Sequence, residues 1–505
     1  MAVINIINKN IEIHVKDNTL LSDAIGEKLN IETPCEGRGT CGKCKVRASG
    51  DLSKISESEK RFIKDGERLA CKTYVGKSAN VEIHYESSIM KTINRGYRKE
   101  YTLSSNNREG YSIAIDLGTT GISGYIIDNH SGDVLESSGT TNSQTLYGSD
   151  VLTRAEYQIS NPNGLKNLQN KASESINKIV DSLVSKSKVN SENIKKVIIS
   201  GNTIMLHLLK GERVDSLVSH PFESVFLESI NLNGYDIGLS INTSVILLPS
   251  ISSFVGSDIT SGMVACDFEN RKNSLFIDIG TNGEIGVNLN GEIYASATAA
   301  GPAFEGSNIE CGMRAENGAI DSFYIEDNKY RYTTINNSTP KGICGSGIID
   351  IVGEMVKNNI ILKSGKINLE KASMFKVVDK KVYITEDVYI SQEDIRAFQL
   401  AKGAIVSGIN ILCKKSQIDN INEFVIGGSF GYHLREESLK NTGIVPKTFK
   451  GSVKFLGNLS LEGAYLACVN TGYIDEMSNL SKKVKSINLS LDSDFQNEFV
   501  RSLRF

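Results

Sequence analysis

At 505 residues, with 56 Lys and Arg against 59 Asp and Glu and a formal net charge of −3, the chain has room for two or three domains and lacks the basic surplus of a nucleic-acid binder. No run approaches the roughly 20 apolar residues that span a bilayer, and Met1-Ala2-Val3-Ile4-Asn5 has neither the basic start nor the apolar stretch of a secretory signal. Nine cysteines, four of them in ligand-like spacing, fit a reducing cytoplasm better than a disulfide framework.

The first elements in chain order are two strands, Val3 to Ile7 and Ile11 to Val15, joined by the turn Asn8-Lys9-Asn10. A short helix over Leu20 to Ile25 leads into a loop bearing Cys35, Cys41 and Cys44, and Cys71 follows after 26 further residues. The C-x5-C-x2-C triplet with a distant fourth cysteine is the pattern of a 2Fe–2S site, since iron takes soft thiolate ligands and a two-iron cluster needs four of them. Glu36-Gly37-Arg38-Gly39-Thr40 supplies the backbone freedom that wrapping a cluster demands. Structural zinc also accepts four thiolates, but its sites usually come as two short pairs. Cys266, Cys311, Cys344, Cys413 and Cys468 show no ligand spacing, and most read as small buried hydrophobes. Val81 to Tyr85 closes the unit as an alternating strand. This order resembles the β-grasp ferredoxins over residues 1–86; the x5 spacing is similar to the adrenodoxin-type loop, with a shorter gap to the last cysteine.

Residues 87–110 are polar, carry Arg95, Arg98, Lys99 and Arg108, and read as a solvated linker. Then comes a strand ending at Asp116, the turn Gly118-Thr119-Thr120-Gly121 and a second strand. The same unit recurs 162 residues later as Asp278-Ile279-Gly280-Thr281-Asn282-Gly283, and both copies run on into a third strand. Glycine lets backbone amides approach phosphate oxygens, threonine hydroxyls add donors, and an aspartate at each strand end can hold Mg²⁺ through water. Two facing copies would clamp one triphosphate.

A strand running into Gly427-Gly428-Ser429 supplies a third signature, and Val197 to Asn202 is its counterpart in the first half. Gly342-Ile343-Cys344-Gly345-Ser346-Gly347 precedes an apolar helix starting near Ile348, a position suited to an anion or to close packing. Ser391-Gln392-Glu393-Asp394 reads as a capping box before a helix whose Ile395, Phe398, Ala401, Ile405 and Ile409 pack inward. These motifs resemble the acetate/sugar kinase, heat-shock chaperone and actin superfamily. The implied fold class is α/β multidomain: a β-grasp 2Fe–2S ferredoxin-like domain, then a duplicated actin-like (ribonuclease-H-like) ATPase fold with subdomains at 111–270 and 271–478 and a tail over 479–505.

The two modules together resemble the reductive activators of corrinoid proteins. Phe254 to Ile259, Gly301 to Gly306 and Cys311 to Arg314 are further matching segments. The resemblance implies ATP-dependent one-electron transfer from the cluster, returning inactive Co(II) to Co(I) in a methyltransferase system. It implies a 2Fe–2S cluster on Cys35, Cys41, Cys44 and Cys71, and Mg²⁺ at Asp116 and Asp278. It implies ATP held by Gly118, Thr119, Thr120, Gly280, Thr281, Asn282, Gly345, Ser346, Gly427, Gly428 and Ser429. The implied partners are a corrinoid (cobalamin-binding) protein and a low-potential donor such as a ferredoxin or flavodoxin, with no nucleic acid and no membrane. Two readings from other classes stand beside it: a small-molecule kinase with a redox-sensing cluster and Asp258 as general base, or an electron carrier with a nucleotide-regulated scaffold. A 4Fe–4S dehydratase activator fits less well, because it bridges its cluster between two subunits.

Overall fold

The computed structural model describes residues 1–26, 29, 31, 37, 39, 42, 44–83, 96–104, 108–418, 420–428 and 434–505. The N-terminal unit is a mixed sheet of β1 (Ala2–Ile6), β2 (Ile11–Val15), β3 (Thr19–Leu20), β4 (Lys45–Leu52), β5 (Glu67–Leu69) and β6 (Tyr74–Glu82), with α1 (Leu21–Gly26). Its order is β2-β1-β6-β4-β5, and β3 pairs with β6. β1 and β6 run parallel at the centre, as a β-grasp requires. Ala2, Ile4 and Ile6 alternate into the core with Ile13, Val15, Val75 and Val81, so the period-2 pattern sets which face is buried.

The first half of the remaining chain contains β7 (Tyr111–Leu117), β8 (Gly121–Asp128), β9 (Val134–Thr141), α2 (Val151–Ser160), α3 (Gly164–Ser187), β10 (Ile194–Gly201), α4 (Thr203–Lys210), α5 (Asp215–Val218), β11 (Ile230–Asn233), β12 (Ser244–Leu247) and α6 (Ser257–Ala265). The second half starts with β13 (Ser274–Ile279), β14 (Gly283–Leu289) and β15 (Glu292–Thr298). Two small sheets follow, β16 (Ala319–Glu326) with β17 (Lys329–Thr334) and β18 (Gly342–Ile343), then, after α7 (Gly345–Lys357), β19 (Lys376–Val378), β20 (Lys381–Tyr383) and β21 (Tyr389–Ser391). The chain ends with α8 (Gln392–Ser416), β22 (Glu423–Gly427), α9 (Glu436–Thr442), β23 (Ser452–Gly457), α10 (Leu459–Val469), α11 (Gly472–Lys483), β24 (Lys485–Ser486) and α12 (Phe495–Ser502).

The internal repeat is visible in the two large sheets. One has the order β11-β12-β10-β7-β8-β9 and the other β23-β22-β13-β14-β15-β24. In each, an antiparallel meander of three strands is extended by parallel strands on the side of the first. Asp116 pairs across to Ser200 and Asp278 to Gly427, so the two aspartates occupy equivalent strand ends.

Helices α6 and α10 pack against each other between these sheets, in one core with Ile259, Met263, Phe276, Val425, Leu459 and Leu466. Glycine permits the close crossing: a Cβ on Gly463 would lie 2.3 Å from the Ser261 carbonyl oxygen. The capping box at α8 forms as its sequence predicts, with Ser391 Oγ accepting from Asp394 N at 3.1 Å and Asp394 Oδ2 accepting from Ser391 N at 2.8 Å. The C-terminal residues pack on α8, where the buried Lys402 Nζ donates to the Arg504 carbonyl at 2.6 Å.

Residues 96–104 are bonded into this body rather than standing free in solvent. Tyr97 N donates to the Leu456 carbonyl at 2.8 Å and Gly96 N to Glu462 Oε1 at 2.7 Å. The Arg98 guanidinium bonds Glu462, which is 0% exposed, and lies 3.5 Å from the ring centre of Tyr465. Lys99 pairs with Glu476. Those charges face inward because α10 presents a buried carboxylate that needs a partner. Removing one side of such a pair strands the other charge. Glu462→Ala is therefore expected to destabilise the chain by about 3–5 kcal/mol. The double variant Glu462→Ala/Arg98→Met should lose less than the single one, read as shifts in urea midpoint.

Candidate functional site

In the N-terminal unit, two of the four spaced cysteines lie among the described residues, and they are brought together. Cys44 precedes β4, and Cys71 lies in a tight turn, Ala70–Lys72, after β5. Pairing of β4 with β5 lets Ala70 N donate to the Cys44 carbonyl at 3.0 Å, and both side chains are buried. Gly37 comes within 4.0 Å of the Cys71 side chain, measured from an ideal Cβ. Gly37, Gly39 and Gly42 all have φ near +70°, the conformation for which glycine is suited. Two adjoining buried thiols with a glycine-rich loop against one of them fit a four-thiolate cluster. Cys35 and Cys41 lie outside the described residues.

Behind Cys71, the buried Glu59 carboxylate organises the turn. It accepts from Arg68 Nε at 3.0 Å, Leu69 N at 3.2 Å, Thr73 Oγ1 at 3.3 Å and Ser56 N at 2.8 Å. Burial opposes its charge, but these donors prevail and hold its proton affinity below the usual carboxylate range.

The two phosphate-type turns meet at the ends of β7 and β13. Thr120 Oγ1 lies 2.9 Å from Thr281 Oγ1, and Thr281 Oγ1 donates to Glu305 Oε1 at 3.0 Å. Asp116 is positioned from α10: Asn458 Nδ2 donates to Oδ2 at 2.8 Å and Ser460 Oγ to Oδ1 at 2.7 Å. Asn458 also caps α10, its Oδ1 accepting from Leu461 N at 2.9 Å. Asp258, at the start of α6, and Glu284, at the start of β14, complete a ring of half-buried and buried acids.

That ring is electrostatically strained. Burial, then Asp258, Asp116 and Glu305, push the Asp278 carboxyl up to about 8. Burial, with Asp116 adding to it, pushes Asp258 up to about 7. Burial also raises Asp116, against the pull of Asn458 and Ser460, and raises Glu284 well above its ordinary value. Glu305 Oε2 is buried with no hydrogen-bond partner among the described residues. A divalent cation would relieve all of these groups at once. Among the described residues no three acidic, His or Cys side chains are arranged to ligate a metal together.

Gly427 and Gly428 close the same cleft beside Asp278. A Cβ on Gly428 (φ +111°) would lie 3.2 Å from Asp278 Oδ1 and 2.6 Å from the Ile279 carbonyl oxygen. Ser429 lies outside the described residues. Gly345 and Ser346 form the first turn of α7, where Ser346 Oγ donates to the Asp321 carbonyl at 2.8 Å, and a Cβ on Gly347 would lie 2.0 Å from the Ile320 carbonyl oxygen. Close packing thus accounts for Gly347. Arg314, in the Gly301 to Arg314 segment, reaches across to Thr141 Oγ1 of the first half.

Sequence reasoning passed over Glu284, Glu305, Asn458 and Ser460. For Glu284 a signal existed, because it stands where the first copy of the hairpin has Ile122. For Asn458 the signal was a capping residue before an apolar run. Glu305 falls in the Gly301 to Gly306 segment, which reads only as a matching stretch and not for this side chain, as it arrives from a loop beyond the hairpin.

A phosphate-type cleft between two ribonuclease-H-like sheets, joined to a cysteine-bearing β-grasp sheet, defines the class: an iron–sulfur protein with an actin-like ATPase fold. Comparison with known families agrees throughout. Residues 4–76 match the 2Fe-2S iron-sulfur cluster binding domain, 111–271 the RACo middle region, and 272–505 the C-terminal domain of RACo, the ASKHA domain. The chain belongs to the RACo family. It is 27% identical to the corrinoid activation enzyme RamQ of Eubacterium limosum, over 98% of this chain and 97% of that one. It is 23% identical to the Co(II) methylated amine-specific corrinoid protein reductase of Methanosarcina barkeri, over 78% of this chain and 77% of the relative. The solved structure of a reductive activator for a corrinoid, iron-sulfur protein superposes with a TM-score of 0.74 at 26% identity, covering 100% of this chain and 98% of that one.

The raised carboxyl of Asp278 has a pH signature. Stability from its protonated form is fully present below the unfolded value near 3.8 and is lost as pH rises through about 8. Without nucleotide or metal, Asp278→Asn should therefore raise the melting temperature at pH 8 and lose that advantage at pH 4, read by thermal scans across pH.

Proposed function

We propose that this chain is an ATP-dependent reductive activator of a corrinoid protein, a metal-reducing oxidoreductase that returns inactive Co(II) to Co(I) by one-electron transfer in a methyltransferase system. The carrying observation is the union, in one chain of the RACo family, of a cysteine-bearing β-grasp unit and a doubled phosphate cleft ringed by acids. The names of its relatives support the same chemistry.

The cofactors are a 2Fe–2S cluster, ATP and Mg²⁺; when bound, the cluster supplies a one-electron reductant and Mg-ATP the free energy for an uphill step. Cys35, Cys41, Cys44 and Cys71 are the iron ligands in this reading. Asp116 and Asp278 hold the hydrated Mg²⁺. Gly118, Thr119, Thr120, Gly280, Thr281 and Asn282 line the phosphates, Gly427, Gly428 and Ser429 the adenosine, and Gly345 with Ser346 the helix entry nearby. Units 1–86, 111–270 and 271–478 carry cluster, first and second cleft halves, with 87–110 as the connection and 479–505 as the packed end. One electron would enter from a low-potential ferredoxin or flavodoxin and leave to cobalt, so the donor is oxidised by one, Co(II) is reduced by one to Co(I), and the cluster, reduced and then reoxidised, shows no net change. Every ~59 mV of unfavourable potential costs a factor of ten at equilibrium, which is why a nucleotide is needed. Closure of the cleft on ATP, with docking on the corrinoid protein, is the step that favours transfer. The cysteine content fits a cytoplasmic protein with no nucleic-acid or membrane partner. Among the described residues no helix is long and apolar enough to cross a membrane.

The test is anaerobic conversion of cob(II)alamin to cob(I)alamin on a corrinoid protein from the same genome, followed by visible absorption. Conversion should require chain, reductant and ATP together, and conversion without ATP would sink the coupled mechanism. Cys41→Ala should abolish the cluster spectrum and the conversion while leaving ATP binding intact.

A further inference from the structure

The first phosphate-type turn is held from behind by a buried polar brace. Asn142 Nδ2 donates to the Gly118 carbonyl at 2.9 Å, Arg154 Nη2 to the Thr119 carbonyl at 2.5 Å, and Asn142 N to the Thr120 carbonyl at 2.9 Å. Three successive carbonyls are therefore taken on one side of the turn. The amides of Thr119 and Thr120 have no acceptor among the described residues. The second turn is built differently, closing on itself through Gly280 N to the Asn282 carbonyl at 3.1 Å.

Arg154 is the unusual member of this brace. It lies on α2 and is 0% exposed. Its other donors reach the Gly148 carbonyl at 3.0 Å, Gln144 Oε1 at 3.2 Å and the Met205 sulfur at 3.1 Å. All its hydrogen bonds end on neutral atoms, and Asp150 and Glu305 act on it only as more distant charges. Burial works against its ionised form. A buried cation with no ion-pair partner is costly unless an anion arrives to compensate it.

We infer that Arg154 is a positioning residue for the terminal phosphates of ATP: through the Thr119 carbonyl it turns the amides of the first hairpin toward the cleft, and its charge lowers the cost of bringing phosphate there. Arginine suits the task because its planar fork reaches Thr119, Gln144 and Gly148 at once, which an ammonium cannot do. The inference rests on the reading of the cleft as a Mg-ATP site.

The experiment is nucleotide binding by the full-length chain, with fluorescent ATP displaced by ATP or by AMP, for wild type, Arg154→Lys and Arg154→Met. Both variants should lose ATP affinity by about 10- to 100-fold, the range carried by a lost charge-assisted hydrogen bond, with AMP affinity unchanged. Arg154→Lys keeps the buried charge, so it tests the fork if Arg154→Met fails to fold. Unchanged ATP affinity in Arg154→Lys, or equal losses for ATP and AMP, would overturn the assignment, the latter because a purely structural role weakens both alike. A wild-type chain that binds AMP and ATP equally would remove the ATP-site reading and this inference with it. The cob(II)alamin assay does not enter, so failure of the corrinoid reading is seen separately.

Discussion

Like charge held close together in a partly dry cleft is the constraint on which the rest of this architecture turns. Asp116, Asp258, Asp278 and Glu284 come from the ends of β7, α6, β13 and β14, of which the first three share one core and β14 pairs with β13. Among the described residues no side-chain donor compensates Asp278, whereas Asp116 receives two donors from the start of α10. The fold pays for this arrangement with the packing of α6 against α10 and of both against two sheets. A cation among these carboxylates would offset the repulsion that raises Asp258, Asp278 and Glu284.

The same helix links the cleft to the cluster-bearing end of the chain. Asn458 and Ser460, at the start of α10, hold Asp116, while Glu462, one turn on, holds Gly96 and Arg98 of the connecting segment. Tyr125 OH of β8 donates to the same Glu462 carboxylate at 2.9 Å. A rearrangement at the Asp116 carboxylate and the anchor of the connection are thus separated by a single helical turn. The connection is fastened to α10 at Gly96 and Arg98.

Much of this was readable in the residues alone, and where it was not the reason is physical. The two hairpins, the capping box at Ser391 and the alternating strands of the first domain all rest on local rules of turn chemistry and periodicity, which operate over fewer than about ten residues. The polar stretch around Arg98 misled for the opposite reason. Its charges look like a solvated linker until the partners Glu462 and Glu476, more than 360 residues away, are placed beside them. Glu305, Ser460 and Arg154 were likewise invisible, because each acquires its role from a neighbour supplied by tertiary packing. The Gly345-Ser346 entry to α7 illustrates a shared signal. Glycine at a helix start serves an anion or a close contact, and only the approach of the Ile320 carbonyl shows packing at work in that turn.

The two hairpins are not equivalent. Duplication gave both an aspartate and a glycine turn, yet the copies have diverged in how they are supported. The first turn is tied by Asn142 and Arg154 to the body of its own subdomain. The second contacts the first through Thr281 and carries the extra acids Glu284 and Glu305 beside it. Both halves bring acids to the cleft, Asp116 and Asp258 from the first and Asp278, Glu284 and Glu305 from the second, while the first also sets the buried Arg154 behind its turn. Bare triphosphate would meet like charge from both sides, and a metal–triphosphate complex would not. In the proposed reading, closure of the two halves is favoured by the complex and by neither component alone, which is the selectivity a nucleotide-driven device requires if it is to act only when charged.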